Sequence, residues 1–212
     1  MLHLKSFTFN PFQQNTFVLY DDEGRAFFID AGNSDSSENN ELRDFVSSKK
    51  LKPEKLLLTH AHIDHVMGNK FLYDEYGLLP ELHSSELFFI EQMEATATMY
   101  GLRCEPSPLP LKFIDDKEVI ALGRYSFECI LAPGHSPGSI CFYNKENNLL
   151  IGGDVLFNGS IGRTDLPMGN HEQLLSSIHH RLLILPEETK VYCGHGPSTT
   201  IGQEKRSNPF LV

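Results

Sequence analysis

The stretch Thr59-His60-Ala61-His62-Ile63-Asp64-His65 decides how this sequence is interpreted. It places three histidines and one aspartate within six positions, directly after the apolar residues 56–58. Imidazole and carboxylate groups are the usual side-chain ligands of divalent transition metals. A histidine-rich surface tag is the alternative, but a tag lies at a chain terminus and no apolar strand leads into it. The stretch therefore predicts a metal site at the end of a buried strand.

Length and composition limit the class of protein. The chain has 212 residues, 40% of them hydrophobic, and this predicts one domain spanning residues 1–212. A formal net charge of −10, with no basic run longer than Lys49-Lys50, argues against a nucleic-acid partner. No apolar run has the length of a signal peptide or membrane span, so we expect a cytoplasmic protein without a membrane partner. The four cysteines form no Cys-x-x-Cys pair and are expected to be reduced thiols. The oligomeric state is left open.

Hydrophobic periodicity predicts strands and helices in both halves of the chain. Strands are expected at 2–9, 17–20, 26–29, 55–59, 119–120, 125–131, 139–143, 149–152 and 190–193, with a hairpin turn at 21–24. Helices are expected from a Ser36 or Ser37 cap to Pro53, from a cap at Asp64 to about Gly77, from Ser84 or Ser85 to about Gly101, and over 171–185. The segment 106–110 is expected to be a loop, and the tail from Gly196 to be irregular. Two sheets covered by helices are the arrangement that this order favours.

Three more ligand-type residues follow apolar strands in glycine-rich surroundings. They are His135 in Pro133-Gly134-His135-Ser136-Pro137-Gly138, Asp154 in Gly152-Gly153-Asp154, and His195 in Gly194-His195-Gly196. The seven candidate ligands are then His60, His62, Asp64, His65, His135, Asp154 and His195. One catalytic zinc ion needs only three protein ligands and an open position, so seven candidates are too many for one ion. Two metals that share a carboxylate, about 3.5–4 Å apart, use all seven.

In combination and order, the motifs THAHIDH, APGHSPGS, GGD and GHG resemble the metallo-β-lactamase fold superfamily. The segments 159–165 and 194–200 resemble its glyoxalase II-like (hydroxyacylglutathione hydrolase-like) branch. The resemblance covers nearly the whole chain and implies a four-layer αββα sandwich, an α/β (α+β) fold with metals at the edge of the sheets. It also implies that His60, His62 and His135 hold one metal, that Asp64, His65 and His195 hold the other, and that Asp154 bridges them.

Two other residues are candidates through the same resemblance. Asp30, in Ile29-Asp30-Ala31-Gly32, matches a family aspartate close to the site and is expected to orient a ligand imidazole, with a plain turn residue as the alternative. Arg163 is a candidate for contact with an anionic substrate or for holding its own loop through Asp165. Glyoxalase II proper has a C-terminal helical segment that supplies cations to glutathione. We expect that this chain lacks that segment and has only Lys205 and Arg206 near its end, which puts glutathione in doubt.

The implied activity is that of a metal-dependent hydrolase, a dinuclear thioesterase acting on S-lactoylglutathione or a related acyl thioester. A metal-bound hydroxide is the expected nucleophile, and Asp64 is expected to orient it in addition to binding metal. A thiolate leaves without a proton, so no general acid is needed, although a lactone or other activated ester satisfies the same argument. Zinc is expected, with iron or manganese as alternatives. The competing functions are a mononuclear iron persulfide dioxygenase, a nuclease of the same superfamily, and a non-catalytic metal-binding protein.

Overall fold

The computed structural model describes residues 1–109 and 112–212, so Pro110 of the predicted 106–110 loop lies outside the described residues. Two six-stranded sheets pack face to face, and helices cover the outer face of each sheet. This arrangement confirms the predicted four-layer αββα sandwich. The layers matter for function because both sheets end at one shared edge.

The first sheet has the strand order β1-β2-β3-β4-β5-β6. Its strands are β1 (Leu2–Phe9), β2 (Gln14–Asp21), β3 (Arg25–Ile29), β4 (Lys52–Leu57), β5 (Pro80–Leu82) and β6 (Lys112–Phe113). Strands β1 to β3 pair antiparallel, and the predicted hairpin joins β2 to β3. Strand β4 pairs parallel with β3, and β5 pairs parallel with β4. The loops that follow β3, β4 and β5 therefore leave the sheet at the same edge.

The second sheet has the strand order β14-β13-β10-β9-β8-β7. Its strands are β7 (Val119–Leu122), β8 (Tyr125–Leu131), β9 (Ile140–Asn144), β10 (Leu149–Gly153), β13 (Lys190–Cys193) and β14 (Thr199–Thr200). A separate two-stranded ribbon joins β11 (Leu156–Phe157) to β12 (Ser160–Ile161). Strand β9 is antiparallel to β8 and to β10, and β13 is parallel to β10. The carboxyl ends of β8, β10 and β13 therefore also share one edge.

Buried side chains fill the three spaces between the four layers. Successive residues of β3 point to opposite faces, so Phe27 packs between the two sheets while Phe28 packs under the helices. Leu42 of helix α1 (Ser36–Lys49) is buried in the same outer cluster as Phe28. Leu174 of helix α6 (His171–Ser177) is buried against the outer face of the second sheet. A strand buried on both faces needs apolar residues at consecutive positions, which explains the unbroken apolar run in β3.

The predicted boundaries of the first helix are wrong at both ends. Helix α1 is capped by Asp35 rather than by a serine, and its carboxylate accepts from two backbone N–H groups at 2.8 and 2.9 Å. Aspartate is as good a cap as serine, so the sequence did not distinguish the neighbouring positions. The helix ends because Lys50 takes a left-handed conformation with φ 54°. Pro53 lies inside β4 and does not close the helix.

Three other predicted helices are interrupted. The segment 64–77 consists of α2 (Ile63–Val66) and α3 (Asn69–Tyr76), and the segment 84–101 consists of a 3-10 turn (Ser84–Glu86), α4 (Leu87–Glu91) and α5 (Met93–Met99). Helix α6 continues as a π-helical turn over Ile178–Leu182. The expected capping role of Asp64 is also wrong, because no side chain caps α2 and the Asp64 carboxylate lies beside His65 and His195 instead.

The tail beyond Gly196 is ordered, contrary to the prediction. Strand β14 leads directly into helix α7 (Ile201–Ser207), and Thr200 caps that helix by accepting from the Gln203 N–H at 3.1 Å. Ile201 and Glu204 are fully buried on its inner face. In the described part of the chain, no helix has the length and apolar character that a membrane crossing requires.

Candidate metal centre

Every predicted ligand lies in a loop or short helix just beyond the carboxyl end of a strand. His60, His62, Asp64 and His65 follow β4, while His135, Asp154 and His195 follow β8, β10 and β13. Glycine is required next to one of these ligands, at Gly194 before His195. A Cβ on Gly194 would lie 2.0 Å from Asp154 Oδ1 and 2.9 Å from His65 Cε1. The absence of a side chain there lets the His195 loop approach the other ligands.

One group of three imidazoles converges on a single point. The Nδ1 atom of His62 lies 2.8 Å from His135 Nε2, which lies 3.2 Å from His60 Nε2. His60 and His135 are only 1% and 2% exposed. We call His60, His62 and His135 the first triad; its ligand atoms all lie within 4.8 Å of one another.

A second group of three ligands lies beside it. Asp64 Oδ2 is 3.0 Å from His195 Nε2 and 3.5 Å from His65 Nε2. We call Asp64, His65 and His195 the second triad, and its ligand atoms meet the same 4.8 Å limit. His65 is fully buried, whereas Asp64 and His195 keep partial exposure towards solvent. The second triad is therefore the more open of the two.

Asp154 lies between the two triads. Its Oδ2 is 3.6 Å from His135 Nε2 and 3.5 Å from His195 Nε2, and its Oδ1 is 3.5 Å from His65 Nε2. One carboxylate thus faces ligands of both triads, as a bridging ligand requires. The structure brings all seven predicted ligands together.

The hydrogen bonds of the imidazoles fit the binding of cations. The Nδ1 atoms of His65, His135 and His195 donate to the Asp30 carboxylate and to the carbonyls of Arg163 and Phe12, at 3.0, 2.8 and 3.0 Å. Each ring then keeps a lone pair on Nε2, which points into the centre. His65 Nε2 and Asp154 Oδ1 are among the buried side-chain atoms of the described residues that have no hydrogen-bond partner. Buried polar atoms of this kind need a partner, and a divalent cation supplies it.

The pKa values of the histidines shift downward in the first triad and upward in the second. Burial lowers the pKa of His60 well below its ordinary value and that of His62 to about 3, and neighbouring imidazoles add to the effect. These rings are neutral, which is the form that binds metal. Burial also opposes the charge on His65, but the carboxylates of Asp64, Asp154 and Asp30 outweigh it and raise its pKa. The second triad is thus a site of negative potential that favours a cation.

Asp30 connects the two triads on their buried side, away from solvent. It is fully buried, with φ 55°, and its Oδ2 accepts from His65 Nδ1 at 3.0 Å and from the Thr59 hydroxyl at 2.6 Å. The Thr59 hydroxyl in turn lies 3.1 Å from His60 Nδ1. One carboxylate therefore contacts a ligand of the second triad directly and a ligand of the first triad through a hydroxyl. Its predicted role in orienting ligands agrees with these contacts and stays a prediction.

Of the three basic residues considered for contact with a substrate, only Arg163 lies at the cavity. Arg163 lines the cavity above the centre and forms a two-pronged ion pair with Asp165, with both N–O distances 2.7 Å. Lys205 and Arg206 lie on α7 and do not line this cavity, and Arg206 pairs with Glu187 at 2.9 Å.

Glu86 is a functional candidate that the sequence did not reveal. Its side chain is fully buried and accepts from the backbone N–H of Ala61 at 2.8 Å and of Gly138 at 2.6 Å. It therefore holds the His60–His62 loop against the His135 loop. These partners are 25 and 52 positions away, so no local pattern indicates the contact.

A cavity of about 840 Å³ opens directly above the metal centre. Its floor contains His62 and His135 of the first triad, Asp64 and His195 of the second, and the bridging candidate Asp154. Most of its remaining lining is apolar. A cavity of this size accommodates a small-molecule substrate.

Similarity to known proteins agrees with this geometry. The sequence model of the metallo-beta-lactamase superfamily matches residues 9–195 of this chain. The chain belongs to this superfamily. Membership confirms the resemblance found in the four motifs and accounts for the αββα sandwich with ligands at its edge.

Three relatives show how close the similarity is. "Hydroxyacylglutathione hydrolase GloC" of Haemophilus influenzae is 40% identical over 202 residues, covering 94% of this chain and 93% of that protein. The crystal structure of BLEG-1 B3 metallo-beta-lactamase superposes with a TM-score of 0.90 at 37% identity, covering 99% of this chain and 100% of that one. The crystal structure of TTHA1623 in a di-iron-bound form superposes with a TM-score of 0.88 at 39% identity, covering 98% and 100%. This chain is therefore a metal-dependent hydrolase.

Proposed function

We propose that this protein hydrolyses acyl thioesters at a two-metal centre, as a thioesterase of the hydroxyacylglutathione hydrolase type. One observation carries the proposal: two triads of ligands face a shared carboxylate, Asp154, on the floor of an open cavity. The similarity to a hydroxyacylglutathione hydrolase supports the thioester as substrate class. S-lactoylglutathione is accordingly the reference thioester, against which other acyl thioesters are compared.

In this proposal the first triad would hold one divalent cation, the second triad would hold the other, and Asp154 would be a ligand to both. Two such cations lower the pKa of water and polarise a carbonyl oxygen when they are bound. Zinc, iron and manganese all suit imidazole and carboxylate ligands, and the di-iron-bound form of TTHA1623 supports iron as a candidate.

Asp64 has a second role in the proposal. Its carboxylate lines the cavity as well as contacting His195, so it can accept a hydrogen bond from a water molecule and orient it towards an acyl carbonyl. A thiol has a pKa of about 8.5, so a thiolate is a competent leaving group and leaves without a proton. Thioester hydrolysis therefore needs no dedicated general acid from the cavity wall.

Persulfide oxygenation and lactam hydrolysis are the two alternatives to thioester hydrolysis. The names of the relatives favour a hydrolase over the persulfide dioxygenase that the sequence left open. The similarity to a protein called a B3 metallo-beta-lactamase makes an activated lactam the second candidate substrate. A lactam nitrogen is a poorer leaving group than a thiolate and requires protonation, for which the thioester has no need.

A thiol-release assay tests the proposal. The metal-loaded protein is incubated with S-lactoylglutathione, a simple acetyl thioester and a chromogenic cephalosporin, with a chelator-treated sample as control. We expect thiol release that is lost after chelation and restored by added metal. If only the cephalosporin were hydrolysed, the proposed substrate would be a lactam and the thioester proposal would be wrong. Oxygen consumption with glutathione persulfide, without thioester cleavage, would overturn the hydrolase proposal altogether.

A further inference from the structure

We infer that the substrate's acyl group is apolar and that its thiol portion carries no charge that the protein recognises. This inference rests on the proposed function and names the substrate class for the same site. It is carried by the composition of the cavity wall, which is independent of the metal ligands.

Aromatic side chains border the centre on both sides. Phe89 packs edge-on against His62 of the first triad, with ring centroids 4.9 Å apart, and Phe88 packs against Phe89 at 5.5 Å. On the other side, the Phe12 carbonyl accepts from His195 and the Phe12 ring packs against Tyr100 at 5.5 Å. An acyl group on a carbonyl above the metals therefore meets aromatic rings in either direction.

The rings and methyl groups of this wall are exposed to solvent to an unusual degree. Phe88, Met99 and Tyr100 line the cavity and are 45%, 84% and 51% exposed. Exposed apolar residues that cluster at the mouth of a cavity mark a binding surface rather than a packing surface. We call Phe12, Phe88, Phe89, Met99 and Tyr100 the apolar wall.

The scarcity of basic side chains in the cavity lining disfavours glutathione as the thiol portion of the substrate. Among the described residues that line the cavity, Arg163 is the one lysine or arginine, and Asp165 already binds its guanidinium through two contacts of 2.7 Å. Glutathione carries two carboxylates and one ammonium group, and cationic partners strengthen the binding of carboxylates. The wall thus favours binding through apolar contact.

Binding of uncleavable thioethers tests the inference on the metal-loaded protein. The four probes are the S-methyl and S-hexyl derivatives of glutathione and of N-acetylcysteamine, which is neutral, and calorimetry measures each dissociation constant. Each methylene removed from water contributes about fourfold in affinity, so burial of about half of the five extra methylenes should make hexyl bind at least about thirtyfold more tightly than methyl. The neutral hexyl thioether should bind at least as tightly as hexylglutathione.

Variants of the apolar wall identify where the alkyl group binds. Phe88→Ala should reduce the hexyl-to-methyl affinity ratio by about fivefold or more, because it removes one side of the contact. Phe210→Ala is the matched control, since Phe210 is 52% exposed but does not line the cavity. Met99→Ala serves as a second variant should Phe88→Ala fold poorly.

The outcomes distinguish the inference from the proposed function. Equal affinity for methyl and hexyl probes, or an affinity for hexylglutathione tenfold above that of its neutral counterpart, would overturn the inference even if thioesters are cleaved. Thioether binding with the predicted ratios, but no thiol release from any thioester, would support the apolar site and overturn the thioesterase proposal.

Discussion

Asp30 is the residue on which the inner side of the metal centre depends. Its two oxygens accept from the Thr59 N–H at 2.7 Å, the Thr59 hydroxyl and His65 Nδ1, all in a fully buried environment. A carboxylate can accept all three bonds, and it fixes the His65 ring with Nε2 towards the centre. Its left-handed backbone conformation is one that aspartate and asparagine tolerate well.

We expect Asp30→Asn to weaken metal binding by about 10- to 100-fold while the fold is retained. Asparagine keeps the backbone conformation, but its NH2 group cannot accept from His65 or Thr59. A chelator competition titration measures the loss, and Thr59→Ser, which keeps the hydroxyl, is the matched control. Unchanged affinity in Asp30→Asn would show that the carboxylate does not orient the ligands.

At the level of elements, the site exists because strand ends from two sheets meet. Strands β4, β8, β10 and β13 each deliver at least one ligand at the same edge, and Glu86 joins two of the loops across the gap. Burial raises the pKa of Glu86, while the bonds from the backbone of Ala61 and Gly138 and from Ser136 offset part of the effect.

We expect Glu86→Ala to lower the free energy of unfolding by about 2–4 kcal/mol, because two buried N–H groups lose their acceptor. Glu86→Gln keeps one acceptor oxygen and should lose less. Denaturant unfolding of the metal-free protein measures both, with Glu187→Ala as the control because Glu187 forms an exposed ion pair. A midpoint for Glu86→Ala equal to that of the control would contradict a role in holding the loops together.

The sequence predicted the elements and ligands that depend on local patterns. Strand β3 shows an apolar run, and each group of ligands lies a few residues beyond such a run, so both were visible without a structure. Glu86 and helix α7 were missed for one physical reason: their stability comes from partners distant in sequence. Glu204 of α7, for example, is buried where it accepts from the N–H of Gly159, 45 positions away.

At the scale of the whole molecule, the three apolar cores also determine the state of the cysteines. All four are free thiols; Cys129, Cys141 and Cys193 are buried, and burial raises the pKa of each to about 12. The half-buried Cys104 belongs to the edge of the outer core.

Burial also raises the pKa of Cys104, but this thiol is only half-buried, so we expect a thiol reagent at pH 8 to modify it faster than the other three in the native protein, and to modify all four in denaturant. Thiolates are the reactive form, and the three buried thiols are protonated at that pH. Mass spectrometry of the modified protein gives the count, and Cys104→Ser should remove the rapid reaction. Rapid modification of three or four cysteines in the native protein would contradict the described cores.

The central claim is a centre of two metals that share Asp154, and the metal content of the purified chain tests it most directly. Elemental analysis after loading with zinc or manganese and removal of excess metal should give close to two ions per chain. Asp154→Ala should give clearly fewer, because both ions lose the carboxylate that they share. One ion per chain in the unmodified protein, or two ions retained by Asp154→Ala, would contradict the account.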